Sequence, residues 1–582
     1  MLLAFCAALA FQQPADRTNS LINAIVAIVG VSSAEELTES EIERFMSFAS
    51  SPLRINTASR SRIASSGLLS AYQAASLYDY RSRHGDVLSP AELSLVDGFG
   101  SGAAEALAPF LSFESASLPG ERLSDKTVKS RSLILKTSFA SRDDGRKNGR
   151  GWSAGVKYRH SADDVFEMAL TARKSYDAER FFPPPEYTFH AVKYGRRGRG
   201  KMIIGDYNAR FGQGLALWSG FEMTSVPAVS AFSKRSSGIS PSWSYSSENT
   251  HRGAAVEQYV GNFRLSCLMS FPGLDRVMQG NKSARTSFFC GANVTWFTAD
   301  GQVGVTASSE SLLSADADWN IRGVRLFSEL AAALKGGGAF AGTAGASVGL
   351  FDGGRGAVRL RMVPAAFSGK KNGEYGMALG FEFSAGPYVQ MAGRQGFGSS
   401  KIRHQFSLTA EASALPVPVR DPDRRQLRLV SRYDSMLSPS MSLSVRFSGR
   451  WRNYGALHRE DLRADLGWSD GRWSCRSRLN AVTSESFGWL CYLDGGYEAG
   501  RMSLFLRGTY YDADKWNDRV YCYERDAPGN FNVTAYHGRG FAVSLVGSCR
   551  LGKGRRRSRL YFRASRKKPG KAELKFQYML DF

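Results

Sequence analysis

The sequence contains no long hydrophobic run beyond its first residues. No stretch of about 18 consecutive apolar residues follows the N-terminus, so no segment is a candidate transmembrane helix. This does not exclude a transmembrane β-barrel, whose strands alternate apolar and polar residues and escape a hydropathy average. With 582 residues, the chain is also too long for one ordinary globular core, so several units or one very large barrel are expected.

The sequence also lacks the patterns of metal and catalytic sites. Its 7 cysteines form no CxxC pair and its 7 histidines form no HExxH motif, so we expect no zinc site and no cofactor. The GFGSG stretch at 98–102 is a hairpin rather than a nucleophile elbow. No nucleophile with a matching base is identifiable, and we expect no enzymatic activity.

The cysteines have two interpretations. Cys267, Cys290 and Cys549 each lie on one strand face with apolar neighbours, which favours small apolar residues that face lipid. Disulfide pairing between neighbouring strands is the alternative in an exported chain.

The N-terminal residues predict export. Met1 to Gln12 form an apolar run, and cleavage after Ala10 fits the small-x-small rule, so residues 1–10 are predicted to be a signal peptide. The run is short and has no basic segment. A start further upstream and a buried helix end are therefore alternatives.

Residues 11–112 predict a helical region. Apolar residues recur at helical spacing, and Ser89-Pro90-Ala91-Glu92 is typical of a helix start. We place a small domain at 50–112 and a polar linker at 113–130.

From residue 131 to 582 the hydrophobic period changes to two, and turn clusters separate the alternating segments. The predicted fold class is therefore α + β: a small all-α domain followed by a large antiparallel transmembrane β-barrel. At about 10 residues per membrane strand plus loops, roughly 16 to 22 strands are expected.

The last strand gives the sharpest signal. Leu574, Phe576, Tyr578, Leu580 and Phe582 form one apolar and aromatic face. This resembles the closing strand of bacterial outer-membrane barrels, which implies that the assembly machinery of such barrels recognises Phe582.

Charge is distributed unevenly along the chain. Residues 11–49 carry two basic and six acidic side chains, residues 50–112 carry five of each, and residues 1–10 carry none. Since the whole chain has a net charge of +23, residues 113–582 hold the entire positive excess.

Residues 55–110 resemble the helix-hairpin-helix domain of ComEA-like competence DNA receptors. The resemblance rests on two helical hairpins, of which the second is intact as Gly98, Phe99, Gly100, Ser101 and Gly102. In that family, Gly-hydrophobic-Gly hairpins present backbone N–H groups to a DNA phosphate, which makes these five residues the candidate phosphate site. In the first hairpin, Leu68 and Ser70 stand at the glycine positions, and the domain is neutral. A helical packing or protein-docking module is the alternative to DNA binding.

The whole arrangement resembles Bacteroidota outer-membrane barrels with an N-terminal helix-hairpin-helix domain. The resemblance includes Gly205-Asp206-Tyr207 with residues 211–218, and residues 519–524 with Gly538-Arg539-Gly540. We interpret these Gly-aromatic segments as strand bends; a loop folded into the lumen is the alternative.

Eight basic residues are candidates for the lining of a lumen that attracts anions: Lys136, Lys157, Arg159, Arg359, Arg361, Arg446, Arg476 and Arg478. The alternative is that many of the cations lie on loops and hold lipopolysaccharide phosphates.

These features predict an outer-membrane barrel with its helical domain in the periplasm. The first functional hypothesis is DNA binding or uptake across the outer membrane. The alternative is a transport barrel or scaffold whose helical domain docks a periplasmic protein or plugs the pore. The expected partners are outer-membrane lipid, the barrel assembly machinery and, depending on the hypothesis, DNA or a periplasmic protein.

Overall fold

The computed structural model describes most of the chain: residues 17–115, 129–143, 148–162, 164–176, 178, 184–195, 198–220, 226–247, 250–273, 287–335, 338–367, 373–385, 404–415, 423–438, 440–552, 557–568 and 570–582. The predicted signal peptide and most of the predicted linker lie outside these residues.

The first described segment is helical, as predicted. Its α-helices, α1 to α6 in chain order, are Arg17–Val29, Glu39–Ser50, Arg60–Ser66, Ala71–His84, Pro90–Leu93 and Gly100–Leu107. A 3-10 turn at Ala34–Glu36 joins α1 to α2. In the described part of the chain, no helix is both long and apolar enough to cross a membrane.

Local sequence signals set the helix ends. Thr38 and Ser70 form capping boxes at the starts of α2 and α4, and the Ser59 hydroxyl caps α3. The helices share one core, in which the rings of Phe45 and Phe110 pack edge-on with centroids 5.2 Å apart.

Most of the rest of the described chain forms a closed antiparallel β-barrel of 24 strands, and a further short strand, Gly238–Pro241, pairs with residues 207–210. The strands, β1 to β24 in chain order, are Lys129–Asp143, Asn148–Ala162, Phe166–Lys174, Glu186–Tyr194, Gly200–Arg210, His251–Val260, Phe263–Ser270, Phe289–Phe297, Gly301–Ser308, Leu312–Ile321, Val324–Ala333, Ala339–Phe351, Gly354–Val363, Glu374–Ala385, His404–Ala414, Arg425–Ser438, Met441–Arg452, His458–Asp470, Trp473–Thr483, Phe487–Ala499, Met502–Ala513, Gly538–Leu551, Arg557–Lys568 and Ala572–Asp581.

The C-terminal strand closes the barrel. β24 pairs antiparallel with β1, so that Phe576 lies opposite Thr137 and Leu580 opposite Leu133. The predicted apolar face of β24 points outward, with Leu574, Phe576 and Phe582 exposed. Closure leaves the sheet without a free edge.

The barrel is apolar outside and polar inside. In β7, exposed Phe263 and Leu265 alternate with buried Arg264 and Ser266. The described cysteines are all unpaired. Cys267 lies opposite Ala292 on the outer face, which agrees with the interpretation as small outward-facing residues; Cys522 instead lies buried in the interior.

The strand number exceeds the predicted range of roughly 16 to 22. The prediction assumed longer loops between the strands than the turns that the structure has at one end of the barrel. Two residues join β10 to β11, and Arg322 and Gly323 there have φ of 50° and 84°, as a tight hairpin turn requires. These short turns lie at the same end as the start of β1 and the end of β24. The two longest connections, after β5 and β21, lie at the opposite end; the 18 residues between β14 and β15 are an exception at the short-turn end.

Candidate functional site

The helical region lies inside the barrel and contacts two nearly opposite parts of its wall. Arg62 of α3 donates hydrogen bonds to Glu167 of β3 and to the Tyr194 hydroxyl of β4. Glu36 accepts a 2.7 Å bond from Arg446 of β17. Because β3 and β17 lie on nearly opposite sides of the ring, the helical region extends across the lumen. We call residues 17–115 the plug.

The plug places the carboxylate of Glu35 between two arginines of the wall. Glu35 accepts from Arg463 of β18 at 2.9 Å and from Arg478 of β19 at 2.7 Å. The backbone N–H of Tyr523 donates a third bond at 3.1 Å. Burial alone would raise the pKa of Glu35, but the two guanidinium groups outweigh it and hold the pKa well below its usual value.

Two further carboxylates of the plug bind cations of the wall. Glu39 lies 3.3 Å from Arg173 of β3, and Glu43 lies 2.6 Å from Lys157 and 3.8 Å from Lys136. We call residues 35–43 the acidic segment. Its buried charges are compensated by cations of the wall, so its position in the lumen is specified by charge.

The other end of the plug contacts turns at the short-turn end of the barrel. Ser59 donates from its backbone N–H and its hydroxyl to Asp164, which lies between β2 and β3. The hydroxyl of Tyr72 donates to the carbonyl of Ala299 at 2.6 Å, between β8 and β9. The plug therefore reaches from this end into the lumen.

The segment after β5 folds into the lumen, so its interpretation as a strand bend was wrong for residues 211–218. The backbone N–H groups of Gln213, Leu215 and Ala216 donate to Glu329 on the wall, at 2.6, 3.0 and 3.4 Å. Only Gly205 fits the earlier interpretation, because it lies within β5 with φ of 107°.

The segment 519–524 is also a lumen loop rather than a strand bend. Val520–Tyr523 pairs with Val533–Tyr536 as a separate hairpin. Glu524 accepts from Tyr536 and from Arg563 of the wall. Glu329 of the wall holds the first loop inward, and Glu35 of the plug binds the second loop at Tyr523. These partners are distant in the chain, so the local sequence pattern of a loop cannot identify them.

The structure places the eight predicted lumen cations on the inner face of the barrel, in two groups. Lys136, Lys157 and Arg446 contact the plug, and the Arg159 guanidinium lies 5.8 Å from the Phe48 ring centroid. The second group borders an open cavity of about 2130 Å³ between the plug and the wall, and consists of Arg359, Arg361, Arg476 and Arg478. None of the eight lies on an outer loop, as the lipopolysaccharide alternative requires.

The second hairpin of the plug borders the same cavity. Gly98, Phe99, Gly100 and Gly102 line it, and a Cβ at Gly100 or Gly102 would meet no described atom within 4 Å. Ser101 belongs to the first turn of α6. The backbone at the start of α6 is therefore open to the cavity.

The first hairpin presents no glycine at the two family positions. The Leu68 side chain is fully buried in the plug core, and the Ser70 hydroxyl caps α4. Gly67 instead ends α3 with φ of 65°, and the Nη1 of Arg44 lies 2.8 Å from the position of an added Cβ. Gly67 thus makes room for a guanidinium group of the plug.

Sequence reasoning missed the acidic segment as a functional element. The signal was present, since residues 11–49 are acidic and the barrel is basic. What was missing was the position of each partner: 428 residues separate Glu35 from Arg463.

No curated protein matches the chain. Among solved structures, a chain of the E. coli P pilus tip assembly intermediate PapC-PapD-PapK-PapG is similar at 9% identity and a TM-score of 0.47, covering 81% of this chain and 63% of that chain. The P pilus usher translocation pore is similar at 10% identity and a TM-score of 0.38, covering 78% and 99%.

Pseudomonas aeruginosa OpdO is similar at 11% identity and a TM-score of 0.28, covering 78% of this chain and 96% of that chain. At these values the solved structures carry no information on the activity of this chain. Residues 49–112 match the family model for a helix-hairpin-helix motif, so the small helical region carries that motif in front of a large closed antiparallel barrel.

Proposed function

We propose that this protein is an outer-membrane channel whose helix-hairpin-helix domain plugs its own barrel. The apolar outer face supports a membrane location, because soluble monomers rarely expose apolar patches of this extent. Bacterial barrels have short periplasmic turns, which supports a periplasmic location for the short-turn end, where the plug contacts Asp164 and Ala299. The proposal assigns no enzymatic activity.

The observation that carries the proposal is the pairing of the acidic segment with the wall. Glu35, Glu36, Glu39 and Glu43 each contact a cation that points into the lumen. Removal of one partner from a buried pair costs about 3–5 kcal/mol, because the other charge stays buried without compensation. The four pairs therefore favour this one position of the plug, and a partner or ligand that competes for these charges would favour opening.

The cavity beside the plug favours anionic solutes. Its lining contains 14 lysines and arginines against nine carboxylates, and the cations include Arg355 of β13 and Arg476 of β19. A lumen lined by cations draws in anions. We expect this cavity to be the conducting path once the plug moves.

Conductance in planar lipid bilayers tests the proposal. The wild type should conduct weakly, and Glu35→Gln/Glu36→Gln should open more often and prefer anions in a salt gradient. Asp79→Asn/Asp97→Asn, which neutralises two exposed carboxylates of the plug, is the matched control and should behave like the wild type. If proteolysis shows that the plug has moved in Glu35→Gln/Glu36→Gln but the conductance equals that of the wild type, the protein is not a channel that the plug closes.

A second candidate function is phosphate contact with nucleic acid at the second hairpin. It is favoured by the open backbone at Gly100 and Gly102 beside a basic cavity. Oligonucleotide binding by the full chain in detergent should be salt-dependent and weakened by Gly102→Glu. Ser82→Glu adds the same charge to an exposed position of the plug and should leave binding unchanged; equal binding by both variants would exclude the hairpin.

A further inference from the structure

Three arginines beside the lumen cavity, one each from the plug, the wall and a lumen loop, form no ion pair with a described carboxylate. Arg44 comes from α2, Arg210 from the end of β5, and Arg235 from the lumen loop after β5. Arg235 donates to the backbone carbonyls of Leu68 and Ile28, at 2.9 and 2.8 Å. Arg44 and Arg235 thus both reach residues 67–68 of the plug, and the charge of Arg210 acts on both.

No carboxylate of the described residues lies within ion-pair distance of these three side chains. Arg210 donates instead to the Ser219 carbonyl at 3.0 Å. The Nε of Arg44 is buried without a hydrogen-bond partner in the described part of the chain. Elsewhere in the lumen, buried cations such as Lys157 and Arg463 face a carboxylate, so this cluster is different.

The nearest acid does not balance the cluster. Glu41 is engaged by its own helix start, where it accepts from the backbone N–H and the hydroxyl of Thr38 at 3.0 and 2.8 Å. Burial, followed by the charge of Arg210, lowers the pKa of Arg44 to about 9, which still leaves it charged at neutral pH. Among the described residues, three positive charges thus face one negative charge, and a bound anion would reduce this imbalance.

The three arginines are accessible from the lumen cavity. Arg44, Arg210 and Arg235 all border the cavity of about 2130 Å³. The Arg44 guanidinium lies 5.5 Å from the Phe45 ring centroid and that of Arg210 lies 5.8 Å from the Trp218 ring centroid, which orients both groups. Planar guanidinium groups bind tetrahedral oxyanions through paired N–H donors.

We propose that Arg44, Arg210 and Arg235 bind a phosphate-type oxyanion that joins the plug to the wall and the loop. The inference rests on the plug lying in the lumen, which is part of the proposed function, but not on the channel conducting. Free phosphate and the phosphate group of a larger solute share this chemistry.

Equilibrium dialysis of the full chain in detergent tests the site, with radiolabelled orthophosphate and glycerol phosphate as separate probes. We expect one saturable site per chain, and at least tenfold weaker binding by Arg44→Gln and Arg235→Gln. Arg83→Gln removes an exposed arginine of the plug and should bind like the wild type. Preference between the two probes identifies the source of the phosphate.

Thermal unfolding gives a second readout. Phosphate should raise the Tm of the wild type more than chloride at equal ionic strength, and should not raise that of Arg44→Gln. Without phosphate, Arg44→Gln should be at least as stable as the wild type, because the change removes like-charge repulsion. Arg210→Lys keeps the charge but loses the paired N–H donors. This variant should fold normally and bind phosphate more weakly than the wild type. Absent binding by the wild type, or equal binding by wild type and Arg44→Gln, would overturn the site while leaving the conductance result unaffected.

Discussion

The Oε1 of Glu35 lies 2.7 Å from the Nη1 of Arg478, although 443 residues separate the two along the chain. Arg478 also donates to Asp465 at 2.6 Å. The contact therefore adds a carboxylate of the plug to an ion-pair network that the wall already contains. Docking of the plug completes this network, which makes the pair a sensitive point for mutation.

Glu35→Gln and Arg463→Gln should show energetic coupling. Each single change weakens plug docking because it leaves a buried charge with fewer partners, and the coupling energy should be about 1–3 kcal/mol. Hydrogen exchange of the α1 and α2 amides measures the free energy of opening. The exposed pair Asp79 and Arg83 is the control, with an expected coupling below about 0.5 kcal/mol; equal coupling in both pairs would contradict a docked plug.

Acid should release the plug. Because the pKa of Glu35 is lowered in the docked state from its usual 4.5, its stabilising contribution is present above that value and is lost as the pH falls towards the lowered pKa. Protease cleavage within the plug should therefore increase below about pH 4. Glu35→Gln should be cleaved more readily at pH 7 and depend less on acid. An identical acid profile in both proteins would show that another group controls release.

Glu329→Ala should free the loop that follows β5. The change leaves three buried N–H groups, at Gln213, Leu215 and Ala216, without their acceptor. Each unmade bond costs about 1–3 kcal/mol. Hydrogen exchange should rise at these three amides, while exchange of the hairpin 520–536 should not change. Protection of the three amides as in the wild type would mean that other contacts hold the loop.

Loss of Phe582 should impair barrel assembly. The residue continues the β24–β1 pairing, since its backbone exchanges two 3.0 Å hydrogen bonds with Arg131. Deletion of Phe582 should reduce the amount of folded barrel in the outer membrane, measured by heat-modifiable gel mobility. Leu493→Ala, which shortens an exposed outward side chain of β20, is the control. A normal amount of folded barrel after the deletion would show that assembly does not depend on Phe582.

Much of the architecture is readable from local sequence. Thr38 and Ser70 set helix starts through contacts three residues away, and the alternation of β24 assigns its outward face. The strand number was underestimated because turn length depends on register, and a turn such as that at Arg322 and Gly323 has only two residues.

The sequence by itself determined two kinds of unit, a small helical domain and an alternating barrel, together with the uneven distribution of charge between them. These properties follow from periodicity and composition, which need no knowledge of distant neighbours. Only the tertiary structure decided that the helical domain lies in the lumen, that Glu35 meets Arg463 and Arg478, and that Arg44 and Arg235 both reach residues 67–68. Such contacts join residues hundreds of positions apart, and their partners are fixed by closure of the ring rather than by local sequence.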